Sequence, residues 1–317
     1  MAIQTPAALL AHAQTRWTEI SASQPDLGPA IALQRSLVTR TIHTVSQLGD
    51  LKLQVVTIEP ERTAAKLRAG VPALRGESVT LPTTMLKPLV LESCEDLAEG
   101  GAGDVARRVH DCLTAGRIDI NSLLTASFGR DQNSIRIKAN HEAIAPDVLW
   151  LVAELAVGPA AHLAQQALLA QTSTGKHPVL ANALNEWPYG YCLACGSWPA
   201  FGEGSEQSRQ LRCSFCGLSW QPQYAGCLYC DGEPSHLSWL TEEPNSAHRA
   251  ELCSRCHGYL KWLNLSKPTP FELLPIEDLA STQVDLLAAQ KGFVRPSLPE
   301  LDGQARPPCQ MLKAPRA

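Results

Sequence analysis

Eight of the chain's eleven cysteines stand as four C-x-x-C pairs: Cys192 with Cys195, Cys213 with Cys216, Cys227 with Cys230, and Cys253 with Cys256. Two intervening residues let the chain turn so that both sulfurs face one point. A soft metal ion takes thiolates there, at about 2.3 Å for zinc. Backbone N–H groups inside such a turn donate to the sulfurs and spread their charge. Gly196 and Gly217 directly follow the first two pairs, and glycine readily adopts the left-handed conformation these knuckles use. The last two pairs are followed by Asp231 and His257, with the glycine one place later. Asp and His must then take that conformation themselves, which they tolerate better than most residues.

Spacing indicates which pairs share an ion. Seventeen residues separate the first pair from the second, ten the second from the third, and twenty-two the third from the fourth. The first interval suits a two-knuckle site, the last a hairpin with a loop, and the middle one is only a linker. Cys192, Cys195, Cys213 and Cys216 are therefore assigned to one ion, and Cys227, Cys230, Cys253 and Cys256 to a second. Nested and cross-braced pairings are the alternatives. A closed four-thiolate cage has no open coordination position, so its expected role is structural, worth on the order of 10 kcal/mol or more per site. Two iron or zinc ions are the expected cofactors, one per site, because four thiolates suit either metal. Arg209, Arg212, Arg249, Arg255 and Lys261 lie near the knuckles in sequence and are expected to offset the negative charge of the cages.

No catalytic residue is assigned. Walker loops, G-x-S-x-G, H-E-x-x-H and dinucleotide fingerprints are absent from the sequence. Cys94, Cys112 and Cys309 are isolated, and Cys112 reads as a core residue on a helix. The chain is 44% hydrophobic and 18% charged, with a formal net charge of -4, so it can bury a core and has no electrostatic bias toward nucleic acid or anionic membrane. One apolar span, residues 148 to 170, is long enough to cross a bilayer. Its Glu154, Pro159, His162, Gln165 and Gln166 favour a buried helix of a soluble protein. Without a basic leader at the start, the expected location is the cytoplasm, where disulfides rarely persist.

The elements that must position the cysteines change character near residue 187. Before it, apolar residues recur at helical spacing: Thr5 and Pro6 open one helix, Ile31, Leu33, Leu37 and Ile42 line another, and Asp104 to Gly116 bound a third. "SLLTASFG" ends a further helix on Gly129, and the Pro- and Gly-rich stretch 67–84 reads as a loop. Beyond 187, short apolar runs such as "RQLRC" and "HLSWL", punctuated by glycine, predict antiparallel hairpins. Residues 276–293 read as one helix stopping at Gly292, followed by an extended tail. The expected division is a helical domain over 1–185, a four-cysteine module over 186–225, a second over 226–275, and a C-terminal helix and tail over 276–317.

The stretches "YCLACGSWPAFGE", "RQLRCSFCGLSWQPQYAGCLYC", "HRAELCSRCHGYLKWLNL" and "IEDLASTQVDLLAAQKGFVRPS" together resemble the formate dehydrogenase accessory proteins of the FdhE family, over about residues 187 to 297. The resemblance implies a multi-domain α and β fold: an N-terminal all-α domain, then two small rubredoxin-like, zinc-ribbon-like metal-binding modules and a C-terminal helix. It implies a non-enzyme, a cytoplasmic chaperone for the maturation of respiratory formate dehydrogenase. Such a protein binds the catalytic subunit before export, and its cysteine pairs hold iron or zinc. Trp198, Trp220, Arg255, Tyr259 and Trp262, with Phe201 and Tyr224, are candidates for partner contact, against the plainer role of packing around hairpins. A redox protein, using rubredoxin-like iron or thiol–disulfide exchange, is the alternative function. A zinc-ribbon nucleic-acid binder is a third, disfavoured by the acidic balance. No nucleic acid partner and no membrane insertion are expected.

Overall fold

The computed structural model describes residues 5–51, 55–173, 175–204, 209–221, 223, 225–242, 246–296 and 298. Tyr224, Cys309 and nearly all of the expected tail lie outside the described residues. The helices in chain order are α1 (Pro6–Ser23), α2 (Gly28–Asp50), α3 (Pro60–Arg68), α4 (Thr83–Leu97), α5 (Gly103–Thr114), α6 (Ile120–Phe128), α7 (Gln132–His141), α8 (Pro146–Ser173), α9 (Pro178–Asn185), α10 (Leu274–Ala280) and α11 (Thr282–Gln290). The chain divides into two compact units: the residues up to Thr57 with Gly76–Ala164, and Ile58–Arg75 with everything from Gln165 onward.

The first unit is helical, and its helix ends follow capping chemistry. Thr5 Oγ1 accepts from Ala8 N at 3.3 Å, Asp119 Oδ1 from Ser122 N at 2.8 Å, and Asp131 Oδ1 from Ser134 N at 2.9 Å. Arg40 on α2 ties to α4 through Asp96 at 2.7 Å and through Glu92. Arg130, at φ 59°, donates to Glu154 Oε1 at 2.7 Å and lies 4.6 Å over Trp150. The apolar span of α8 passes a length-and-composition test for crossing a membrane. However, 61% of its most apolar window is buried, with Leu149, Val152, Ala156, Val157, Ala160 and Leu168 essentially inaccessible. It is a core helix.

The second unit contains a six-stranded sheet: β1 (Pro199–Glu203), β2 (Gln210–Cys213), β3 (Ser219–Trp220), β4 (Leu237–Thr241), β5 (His248–Cys253) and β6 (Tyr259–Leu263), in the order β3-β2-β1-β6-β5-β4. Each half repeats one plan: a knuckle, two antiparallel strands, a second knuckle, a third strand. The two halves join where β1 runs parallel to β6, with Gly202 opposite Trp262 and Glu203 opposite Leu263. The hairpin reading therefore covers the antiparallel pairs and not this joint. Glycine is needed at the joint, because a Cβ on Gly202 would lie 2.2 Å from the Trp262 ring.

On one face of the sheet Leu240, Ala250, Leu252 and Tyr259 pack on Val284 and Ala288 of α11. The single helix expected over 276–293 is two, parted at Ser281, whose backbone leaves the helical region at φ −104° and ψ 19°. The stretch 67–84 holds the end of α3, turns at 69–76 and the start of α4.

Candidate metal centres

All four knuckles share one backbone plan. The N–H of the first cysteine donates to the carbonyl five residues on: Cys192 to Ser197 (2.8 Å), Cys213 to Leu218 (2.9 Å), Cys227 to Gly232 (2.8 Å) and Cys253 to Gly258 (3.0 Å). The residue after the second cysteine donates back to the first cysteine's carbonyl: Gly196 at 2.8 Å, Gly217 at 3.2 Å, Asp231 at 3.0 Å and His257 at 2.9 Å. That return requires positive φ, and the angles are 86°, 71°, 52° and 56° respectively. Asp231 and His257 do adopt the left-handed conformation that their position in the motif demands.

These turns bring the cysteines together in two quartets, Cys192, Cys195, Cys213 and Cys216 in one, and Cys227, Cys230, Cys253 and Cys256 in the other. Within each, all four sulfurs lie within 4.8 Å of one another. Sulfurs of different knuckles come close: Cys192 to Cys216 at 3.6 Å and Cys195 to Cys213 at 3.4 Å, then Cys227 to Cys256 at 3.7 Å and Cys230 to Cys253 at 3.8 Å. Those gaps are far beyond a disulfide bond of about 2.05 Å and match the edge of a tetrahedron with metal–sulfur bonds of about 2.3 Å. Backbone N–H groups point at the sulfurs, from Phe215 and Cys216 to Cys213 Sγ and from Gly258 to Cys256 Sγ, all at 3.4 Å.

Burial and neighbouring sulfurs push the Cys192 and Cys216 thiols well above their ordinary range. The sulfur of Cys256 and burial push Cys227 up, and burial pushes Cys230 to about 12. Four buried soft donors with tetrahedral spacing and amide N–H groups aimed at them fit zinc or iron. The donor set therefore could hold one such ion in each quartet.

The cations expected near the thiolates have other employment. Arg212 forms a buried pair with Glu203 at 2.8 Å, and Glu203 also accepts from Thr269 N at 3.1 Å. Lys261, fully buried, bridges Asp278 Oδ1 (2.8 Å) and Asp285 Oδ2 (2.7 Å). Arg209 lies 4.2 Å over Trp262 and 5.1 Å over Trp239, and Arg249 lies 4.1 Å over Trp239. Arg255 is exposed beside the second quartet. Among the candidates for partner contact, Trp198, Phe201, Trp220, Tyr259 and Trp262 are all at most 6% exposed and fill the interior around the knuckles. Trp198 meets Tyr191 edge-on at 6.0 Å and Tyr229 at 5.1 Å. The exposed tryptophan of the region is Trp239, at 46%, whose edge-strand position carries no sequence signal of its own. Cys94 and Cys112 are buried outside the quartets.

A family model described as the FdhE C-terminal domain matches residues 211–301. The chain is 35% identical over 111 residues to an FdhE homolog of Haemophilus ducreyi, covering 34% of this chain and 36% of that one. It is 28% identical over 220 residues to one from Pectobacterium atrosepticum, covering 68% and 63%. The alignment thus spans little more than a third of the length of the first of these relatives. The crystal structure of the FdhE protein from Pseudomonas aeruginosa has the same fold, with a TM-score of 0.55 at 22% identity, over 91% of this chain and 94% of that one. The cysteine-bearing sheet, the matched C-terminal domain and the shared fold agree in making this chain similar to the FdhE proteins.

Proposed function

We propose that this chain is a non-enzymatic accessory protein of formate dehydrogenase maturation, a cytoplasmic chaperone that binds the dehydrogenase's catalytic subunit before export. The observation that carries this reading is the pair of closed four-cysteine cages built into one sheet. With Cys192, Cys195, Cys213 and Cys216 on one iron or zinc ion and Cys227, Cys230, Cys253 and Cys256 on another, every coordination position is filled. Such ions fix shape and offer no place for a substrate. The 1–185, 186–225, 226–275 and 276–317 division is proposed as a working one, with the sheet binding the two cysteine modules into a single platform.

Since Trp198, Trp220, Tyr259 and Trp262 are interior, partner contact is assigned to the exposed groups beside them, Arg255 and Trp239. The test is co-purification of the full chain with formate dehydrogenase subunits from anaerobically grown cells. Enrichment of the catalytic subunit over unrelated iron–sulfur proteins, reduced in the Trp239→Ala or Arg255→Glu variant, is expected. Equal recovery of unrelated proteins overturns the reading. The electron-carrying form of the redox alternative requires iron, since zinc has no redox chemistry, whereas its thiol–disulfide form requires free cysteine pairs. A reversible one-electron wave from the purified protein would favour the former.

A further inference from the structure

The eight sulfurs are equally hidden, each cysteine being at most 2% exposed, but different things hide them. Around the first quartet the cover is framework. Ala73 N donates to Leu193 O and Leu74 N to Ala194 O, both at 2.8 Å, so the stretch after α3 is laced to the first knuckle. The Tyr191 hydroxyl donates to Gly70 O at 2.8 Å and ties the start of the same stretch. Phe271 presses on the second knuckle so closely that a Cβ on Gly217 would lie 2.6 Å from its ring. Of the residues between and just after the paired cysteines, Leu193, Ala194, Gly196, Phe215 and Gly217 are buried and only Ser214 is exposed.

The second quartet is covered differently. At the corresponding positions Leu228 and Tyr229 are buried, but Asp231, Ser254, Arg255 and His257 are all exposed. Its outside clasps include Ser254 N to His236 O at 2.9 Å, Val294 N to His257 O at 2.9 Å and Tyr259 N to Val294 O at 3.2 Å, with Phe293 beside the His257 ring at 5.6 Å. His236 sits in a single 3₁₀ turn, and Val294 lies close to the end of the described chain. One wall of this cage is therefore a layer of single, solvent-facing side chains, where the first cage has clamped backbone and rings.

We infer that the two centres differ in access: the second quartet is an exchangeable metal site, open to small chelating ligands across the rim of Asp231, Arg255 and His257, and the first is a sealed structural site. Exchange proceeds as a chelator donor bonds to the ion while a metal–thiolate bond breaks, the freed thiolate taking a proton from water. Repeated four times, the step leaves a chelated ion and four thiols. The incoming donor needs a path between sulfurs, and the second cage is bordered by exposed single side chains where the first is bordered by buried residues. The inference rests on both quartets holding metal and is independent of the dehydrogenase partner.

The experiment uses the full chain loaded with two zinc ions, in excess chromogenic chelator at neutral pH, with pulses of N-ethylmaleimide and mass-spectrometric mapping of the alkylated cysteines. Expected are two release phases of one ion per chain, the faster by at least about tenfold, with alkylation of Cys227, Cys230, Cys253 and Cys256 in the fast phase. As a second measurement, Ala73→Pro, which removes one clasp of the first knuckle, should speed the slow phase alone. A single phase, or earlier labelling of Cys192, Cys195, Cys213 and Cys216, overturns the inference and leaves the metal reading standing. A chain that cannot be loaded with two ions overturns both.

Discussion

Replacing Lys261 by methionine should loosen the attachment of α10 and α11 to the sheet. The Lys261 ammonium is fully buried and donates to Asp285 Oδ2 at 2.7 Å, Asp278 Oδ1 at 2.8 Å and the Asp278 carbonyl at 2.8 Å. Methionine keeps the volume and removes three charge-assisted bonds. Removing one partner of a buried ion pair costs about 3–5 kcal/mol. The low end applies here, because Asp278 and Asp285 are 36% and 25% exposed and keep Arg295, at 2.6 and 3.2 Å. About 3 kcal/mol corresponds to roughly a hundredfold rise in the population of the opened state. Hydrogen–deuterium exchange of the metal-loaded chain reads this directly, as faster exchange in peptides spanning β6, α10 and α11 and unchanged exchange in α1 and α2. Adding Asp285→Asn should restore part of the loss, since an asparagine oxygen can still accept from the Tyr259 hydroxyl, now at 2.8 Å from Asp285. An effect under about threefold, or one spread evenly over the chain, would refute the reasoning.

Two further outcomes follow from the same geometry. Gly202→Ala places a methyl group 2.2 Å from the Trp262 ring, on which Arg209 also lies at 4.2 Å, so the β1–β6 joint should lose about 1–3 kcal/mol in urea unfolding of the loaded chain. Zinc loading should release at least two protons per ion near neutral pH. The thiols of Cys192, Cys216, Cys227 and Cys230 are raised and carry protons in the metal-free state, so apparent affinity must fall as pH falls and grow as it rises. Calorimetry in buffers of different ionisation enthalpy counts those protons, and fewer than two per ion would contradict the burial argument.

What could be read in advance divides by range. A knuckle is a six-residue event, so cysteine spacing and the glycine or Asp/His that follows were enough to anticipate both quartets and the left-handed turns at Asp231 and His257. Helix caps at Thr5 and the stop at Gly129 are equally local. The parallel joint of β1 with β6 involves two residue pairs some sixty positions apart and leaves no periodic trace. The clasp of Ala73 and Leu74 on the first knuckle is likewise written in backbone atoms, which no side-chain pattern reports. Two of the cations expected to offset the cages are paired with carboxylates. Lys261 and Arg212 lie close to the cysteines in sequence, but their carboxylate partners, Asp278, Asp285 and Glu203, satisfy them with direct hydrogen bonds that a delocalised thiolate cage cannot match. Aromatic crowding near the knuckles likewise proved to be interior packing at Trp198, Trp220 and Trp262, while Trp239 stands exposed.

X-ray absorption at the zinc and iron edges of the purified chain, combined with metal analysis, tests the central claim most directly. The account predicts two ions per chain, each surrounded by four sulfurs, at about 2.3 Å for zinc, with no nitrogen or oxygen in the first shell. One ion per chain, a mixed shell, or cysteines recovered as disulfides would contradict it.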